Sequence, residues 1–188
     1  MPDSDFTSLA AARVELRRFR PEDVDGFVAY RSSAGVARYQ SWDAPYPRAA
    51  GERFIRQMIV RHPDTAGEWF QFAVVVRSTG GLIGDCAARP DTDDCRQAEI
   101  GFTIAPEHQG HGYATEAVRS LLGYLFGRRG KHRVTACCDA RNAASAAVME
   151  RLGMRREGHL HESTWAKGDW TDDLLYALLA REWAPPAS

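Results

Sequence analysis

Residues 98–115, AEIGFTIAPEHQGHGYAT, constrain this chain more than any other stretch. Residues alternate in character up to Ile104, the pattern of a strand with one face buried. Pro106 then turns the chain and a glycine-bearing loop follows. Over 112–126, Ala114, Ala117, Val118, Leu121, Leu122, Leu125 and Phe126 recur at helical spacing. A strand that delivers a glycine loop onto a helix N-terminus makes a place for phosphate, because the first-turn N–H groups lack intrahelical acceptors and the dipole is positive there. The same strand carries a carboxylate, Glu99, so binding and chemistry share one short segment.

The whole chain limits what this segment can belong to. With 188 residues, 44% of them hydrophobic, one globular domain can bury a proper core. It is expected over 12–183, between flexible tails at 1–11 and 184–188. A net charge of −1 leaves no electrostatic footprint for nucleic acid. The basic cluster Arg128, Arg129, Lys131, His132 and Arg133 reads as a helix end, where cations meet the negative end of the dipole. No apolar run reaches transmembrane length, and the acidic N-terminus lacks a basic segment ahead of an apolar core, so neither membrane association nor secretion is expected. Cys86, Cys95, Cys137 and Cys138 form no C-x-x-C pair, and the adjacent pair points to opposite faces of a strand. They read as free thiols of a reducing, cytoplasmic compartment.

Period and punctuation give a first strand over 13–19, a helix over 21–32 opened by Pro21, and a second helix over 47–61. Strands follow at 69–77, 82–88 and 96–104, with Gly80-Gly81 as a hairpin turn. After the 112–126 helix come a strand at 132–138, a helix at 142–152 with Asn142 as N-cap, and a final hairpin turning at Lys167-Gly168-Asp169. The order β-α-α-β-β-β-α-β-α-β-β predicts a mixed α/β (α+β) domain, one mostly antiparallel sheet flanked by helices. A parallel, right-handed crossover is expected within 96–138.

Two phosphate motifs fail for the loop Gln109-Gly110-His111-Gly112-Tyr113-Ala114. The dinucleotide fingerprint G-x-G-x-x-G lacks its third glycine, where Thr115 stands, and four strands precede a loop that the fingerprint places early. No Gly-Lys-Ser/Thr follows, which excludes a P-loop. The spacing Gln109-x-x-Gly112-x-Ala114 instead resembles the acetyl-CoA signature Gln/Arg-x-x-Gly-x-Gly/Ala of the GNAT superfamily of N-acetyltransferases. With the later blocks DARNAASAAVMERLGM and WAKGDWTDDLLYALLAREW, the text from Val14 to Trp183 resembles the ribosomal-protein N-terminal acetyltransferase branch.

That resemblance implies a sheet with a V-shaped splay between the strand 99–104 and the strand 132–138. The pantetheine arm of acetyl-CoA is expected in the gap, on the backbone of Phe102, Thr103 and Ile104. The pyrophosphate is expected on the main chain of Gln109, Gly110, His111, Gly112, Tyr113, Ala114 and Thr115, with Asn142 beside the pantetheine. Ser145 matches the serine that this branch places toward the cofactor sulfur. Many superfamily members carry a tyrosine seven residues after the asparagine; here that position is Met149, so a tyrosine acid does not transfer.

Acetyl transfer to an amine needs a base, because an α-amine has a pKa near ~8 and a lysine near ~10.4. It also needs a donor for the tetrahedral oxyanion and a proton for the leaving thiolate. Glu99, on one strand face with Gly101 and Thr103, is the leading base. Its competing reading is an ion pair with Arg96 or Arg133. Trp42, Tyr46 and His161 are candidates for the acceptor wall. His159 and His161 share a strand face, but no third ligand stands at suitable spacing, so no metal is expected.

The reading is direct transfer of an acetyl group from acetyl-CoA to a primary amine, either a protein N-terminus or a small molecule such as an antibiotic. A longer acyl group such as succinyl, a ping-pong route through Cys137 or Cys138, and a catalytically inactive acyl-CoA-binding module are the rivals. Glu99 and Ser145 speak against the last. Monomer and homodimer both remain open.

Overall fold

The computed structural model describes Phe6 and residues 8–184. One eight-stranded sheet organises the chain, in the order β1-β2-β3-β4-β5-β6-β8-β7. Its strands are β1 (Ser8–Ala10), β2 (Val14–Arg17), β3 (Phe70–Val76), β4 (Leu82–Pro90), β5 (Gln97–Ile104), β6 (Arg133–Asp139), β7 (Arg155–Ala166) and β8 (Asp169–Leu179). All neighbours are antiparallel except β5 and β6. Helices are α1 (Val24–Arg31), α2 (Ala34–Ala37), α3 (Arg48–Val60), α4 (Tyr113–Gly123) and α5 (Ala143–Arg151). The last turn of α4 widens into a π-helical segment, Tyr124–Arg128.

Alternation and helical period account for the layers. Along β5, Ala98 and Ile100 are buried, and Ile100 lies in the main core with Phe72, Cys86 and Val134. Ala117, Val118, Leu121 and Leu122, the expected stripe of α4, are fully buried against them. Each of those two leucines stabilises the fold by about 1.5–3 kcal/mol through burial alone. A second cluster joins Phe19, Phe27, Ile55 and Met58 to Ala73 on β3, so α1 and α3 lie against the other face of the sheet. No helix among the described residues is long and apolar enough to cross a membrane.

Two expectations about this architecture need correction. The tail expected over 1–11 contains β1, which pairs Ser8 with Arg17 and Ala10 with Glu15, and Phe6 is buried edge-on against Phe72. Three strand residues are too few to show a period, so the sequence pattern hides them. The short helix α2 was likewise not anticipated. Of the tail at 184–188, residues 185–188 lie outside the described residues.

Candidate active site

The parallel pairing of β5 and β6 runs from Gln97↔Arg133 to Ile100↔Ala136 and stops. Beyond it β5 stays on β4 as far as Ile104, and β6 stays on β8 as far as Asp139. Each strand is therefore held only on its outer side, and the facing inner edges diverge. The splay thus opens at Gly101, two residues beyond the Glu99 start that the resemblance implied. A cavity of about 240 Å³ fills the divergence, lined by Phe102, Thr103, Ile104, Gln109, Ala114, Asn142 and Ser145 together with Gly35, Val36, Tyr39 and Gln40. Unpaired strand edges need amide partners, and a pantetheine arm supplies amides.

Local sequence sets this cavity's far wall. Asn142 lies just beyond β6 and caps α5, its Oδ1 accepting the Ser145 N–H at 3.1 Å. The cap points the first turn of α5, and with it Ser145, into the gap. The Gln109 amide donates to the Ile104 carbonyl at 2.8 Å, tying the loop to the end of β5.

Next to this channel a second hollow, about 590 Å³, opens over the start of α4, lined by Gly110, Gly112, Ala114 and Thr115. Gly110 and Gly112 have φ of 77° and 81°, a left-handed backbone that favours glycine. Three cations that sequence reasoning missed, Arg13, Arg119 and Arg151, stand around the same hollow. Arg13 donates to the His111 carbonyl at 3.0 Å and lies 4.8 Å from the Tyr113 ring centre. Its partner Glu116 accepts the Arg13 guanidinium at 2.8 Å and the Val14 N–H at 3.2 Å, so the loop is clamped to β2. Burial alone would raise the Glu116 carboxyl, but the Arg13 and Val14 contacts outweigh it and hold the pKa below the ordinary value. The side chains of His111 and Tyr113 line neither space. They stack on each other, and His111 Nδ1 sits 2.8 Å from the Gln109 carbonyl.

On the opposite side of the splay lies a cleft of about 390 Å³, lined by Arg31, Trp42, Phe54, Trp69, Gln71, Asp85, Gly101 and Cys137. It shares Tyr39, Gln40, Phe102, Thr103, Asn142 and Ser145 with the channel. Those six residues mark where the two spaces meet. The cleft floor holds a charge cluster that sequence reasoning did not identify. Arg31 is buried, with its guanidinium carbon 3.9 Å from the Trp42 ring centre, 4.2 Å from Phe27 and 4.8 Å from Phe54. Its Nη2 lies 3.7 Å from Asp85 Oδ2, which also accepts the Tyr30 hydroxyl at 2.5 Å. Burial raises the Asp85 carboxyl even beside Arg31. The Arg31 Nε is buried without a partner.

The acceptor candidates are placed unequally. Trp42 lines the cleft, and its indole N–H donates to the Arg31 carbonyl at 3.1 Å. Tyr46 stands behind the wall, edge-on to Phe27 and Trp42, where its ring supports the aromatic box around Arg31. His161 is not among the cleft residues; it is drawn instead to Asp172 across the final hairpin, at 2.9 Å. The tip of that hairpin does reach the cleft loop, since Lys167 Nζ donates to the Trp42 carbonyl at 2.6 Å and pairs with Asp43 at 2.7 Å.

Glu99 lies beside, rather than in, the cleft. Its carboxylate is ion-paired with Arg89, opposite it on β4, in a polar hollow with Asp91, Thr92 and Thr135. The two arginines expected to compete for it are engaged elsewhere, Arg96 by Asp94 and Arg133 by Glu157. Between Glu99 and the cleft, on the same strand face, stands Gly101, with nothing within 4 Å of where a Cβ would be. Cys137 borders the cleft, yet the surrounding protein and then the nearby Asp173 push its thiol up to about 12; the same burial pushes Cys138 up to about 11.

A splayed sheet that joins a glycine-bearing helix start to an aromatic, acid-bearing cleft fits an enzyme moving an acyl group from a coenzyme A thioester. The chain belongs to the GNAT acetyltransferase family, whose domain model matches residues 13–155, and it is an N-acetyltransferase. It is similar to the uncharacterized N-acetyltransferase p20 of Bacillus licheniformis, 30% identical over 177 residues that cover 94% of this chain and 98% of the relative. It is also similar to the ribosomal protein uS5 alanine N-acetyltransferase of Escherichia coli (strain K12), 30% identical over 86 residues, 46% of this chain and 44% of that one. Among solved structures, a GNAT-family acetyltransferase from Bacillus anthracis superposes with a TM-score of 0.83 at 27% identity, over 94% of this chain and 100% of the other. The family uses acetyl-CoA, and the channel fits it: diverging strand edges for amides, and a helix start ringed by three arginines for phosphates.

Proposed function

We propose that the acceptor is the N-terminal α-amine of a protein, entering the cleft as an extended segment. The observation that carries this is the inner edge of β6 at Cys137–Asp139, which borders the cleft beside Ser145 while β8 holds only the outer edge. A free strand edge recognises backbone whatever the side chains. Acid–base chemistry points the same way. About a tenth of α-amines are neutral at pH 7, against fewer than about one lysine in a thousand.

In this reading acetyl-CoA lies along Phe102, Thr103 and Ile104, with its phosphates over Gly110, Gly112 and the start of α4. A strand N–H at the splay stabilises the oxyanion. Glu99 takes the amine proton through water lying over Gly101, and the amine nitrogen attacks the thioester carbonyl. The C–S bond breaks, and Ser145 supplies a proton to the leaving sulfur, regaining one from solvent. Thiols at Cys137 and Cys138 held protonated at neutral pH are weak nucleophiles, which favours direct transfer over a cysteine-bound acetyl intermediate. Four free cysteines suit a reducing cytoplasmic setting.

A second reading rests on Trp42, Phe54 and Trp69 around Asp85, a lining that also suits a small amine carried on an aromatic or ring system. One panel separates the two. The enzyme is incubated with acetyl-CoA and peptides with free N-termini, the same peptides N-blocked but containing lysine, and polyamine and aminoglycoside amines. Mass spectrometry is expected to place acetyl on the free N-termini, with kcat/KM at least about tenfold above any small amine. A small amine turning over faster than every peptide overturns the proposal.

A further inference from the structure

The final hairpin carries a cluster that acetyl transfer does not use. After an earlier register shift between Arg156 and Gly158, strands β7 and β8 pair from Gly158↔Leu175 to Leu160↔Asp173 and resume at Thr164↔Thr171, so residues 161–163 face Asp172 alone. Such a bulge re-aims side chains, and here Glu162 takes φ 45°. His159 Nε2 lies 2.7 Å and His161 Nδ1 2.9 Å from the same oxygen, Asp172 Oδ2. The two imidazole centres are 4.3 Å apart. One donor atom from each of the three residues falls within 4.8 Å of the others. The other carboxylate oxygen, Oδ1, is fixed by the Glu162 N–H at 2.8 Å. The expectation that no third ligand accompanies the histidines is thus corrected: Asp172 supplies it from the neighbouring strand, where no spacing rule along the sequence would find it.

We propose that His159, His161 and Asp172 form a binding site for a first-row divalent transition ion of the zinc class. Two imidazole nitrogens and one carboxylate oxygen select zinc, cobalt, nickel or copper over magnesium or calcium. Ligand atoms around a tetrahedral zinc with bonds of ~2.0–2.1 Å stand ~3.3 Å apart. Each imidazole nitrogen therefore needs to draw back from Asp172 Oδ2 by only about half an ångström to admit the ion. The backbone bond to Oδ1 plays the orienting part that outer partners play in metal sites, and the solvent side leaves a fourth position for water. Bound there, the ion ties the β7 bulge to β8, within the hairpin whose tip holds the cleft loop through Lys167.

The test uses the tag-free full chain, stripped of metal and titrated with Co²⁺ and, by calorimetry, Zn²⁺. One ion per chain is expected, with cobalt d–d bands and no thiolate charge-transfer band, and zinc raises the melting temperature. His161→Ala and Asp172→Asn each weaken binding by about tenfold or more and abolish the zinc-dependent rise in melting temperature. Both variants melt like the parent in chelator, and His132→Ala binds as the parent does. Absence of binding at millimolar cobalt, a thiolate band, or affinity untouched by both variants overturns the site.

Discussion

The proposed donor channel and the proposed acceptor cleft share six residues at the splay, yet they are built by different means. The donor side centres on one stretch of sequence, a strand edge at Phe102 and Thr103, a glycine loop and the start of α4, with α2, α5 and three arginines completing it. The acceptor side is mostly side chains brought from far apart. Tyr30 meets Asp85 across 55 residues, and Lys167 meets Asp43 across 124. Backbone recognition tolerates sequence change and suits a donor common to a family. Side-chain recognition changes with each substitution and suits an acceptor that differs between members.

Substitutions on the two sides are accordingly expected to separate into acceptor and donor effects. The largest expected effect is on chemistry. Glu99→Gln lowers kcat by about 10²–10⁴ and leaves the KM for acetyl-CoA unchanged, while residual activity climbs with pH as solvent removes the amine proton. Full turnover with an unaltered pH profile would exclude Glu99 as the base. Arg31→Ala comes next. It leaves Asp85 buried without its cation, in a cluster where both side chains are almost fully enclosed, and destabilises the fold by about 3–5 kcal/mol. Asp85→Asn in the Arg31→Ala background restores part of that loss in denaturant melts; strictly additive losses would mean the two groups are not coupled.

On the donor side the expected changes are smaller. Arg119→Ala and Arg151→Ala each raise the KM for acetyl-CoA several-fold at low salt, with the acceptor KM steady. Because exposed charges are screened, the effect shrinks at ~0.5 M salt, where the Debye length is only a few ångströms. A rise in acceptor KM instead would place these arginines on the wrong side of the comparison.

The same contrast explains what could be read from sequence. Gln109, Gly112 and Ala114 form a contiguous pattern, and the stripe of α4 repeats every turn, so the loop and the helix behind it are legible in the sequence. The family resemblance added Asn142 and Ser145, which the cap geometry brings to the same cavity. Arg31, by contrast, looks in sequence like the solvated end of a short helix. Only packing shows it boxed by Trp42, Phe27 and Phe54. Tyr46 was legible as aromatic and near the cleft, but not as lying one layer behind it. His161 is only a candidate for the cleft in the sequence, because strand period shows which side chains share a face and not which residue opposes them; a bulge decides that.

The smallest effect tests whether the donor loop depends on its clamp to β2. Glu116 keeps a pKa below its ordinary value of 4.5 because the Arg13 N–H and guanidinium and the Val14 N–H favour the charged form over the burial that opposes it. A depressed carboxylate contributes stability that is fully present above the unfolded pKa and is lost as pH falls through the folded one. Glu116→Gln should therefore lower stability by about 1 kcal/mol at neutral pH. Its gap to the parent in melting temperature should narrow steadily below pH ~4.5, since the parent then loses the same charge. The acetyl-CoA KM should rise modestly, as Arg13 loses its anchor beside His111 and Gly112, and the acceptor KM should hold. A gap that stays constant between pH 7 and 3 would show that Glu116 acts through shape alone. The phosphate loop would then owe its position to the backbone of α4 and not to this ion pair.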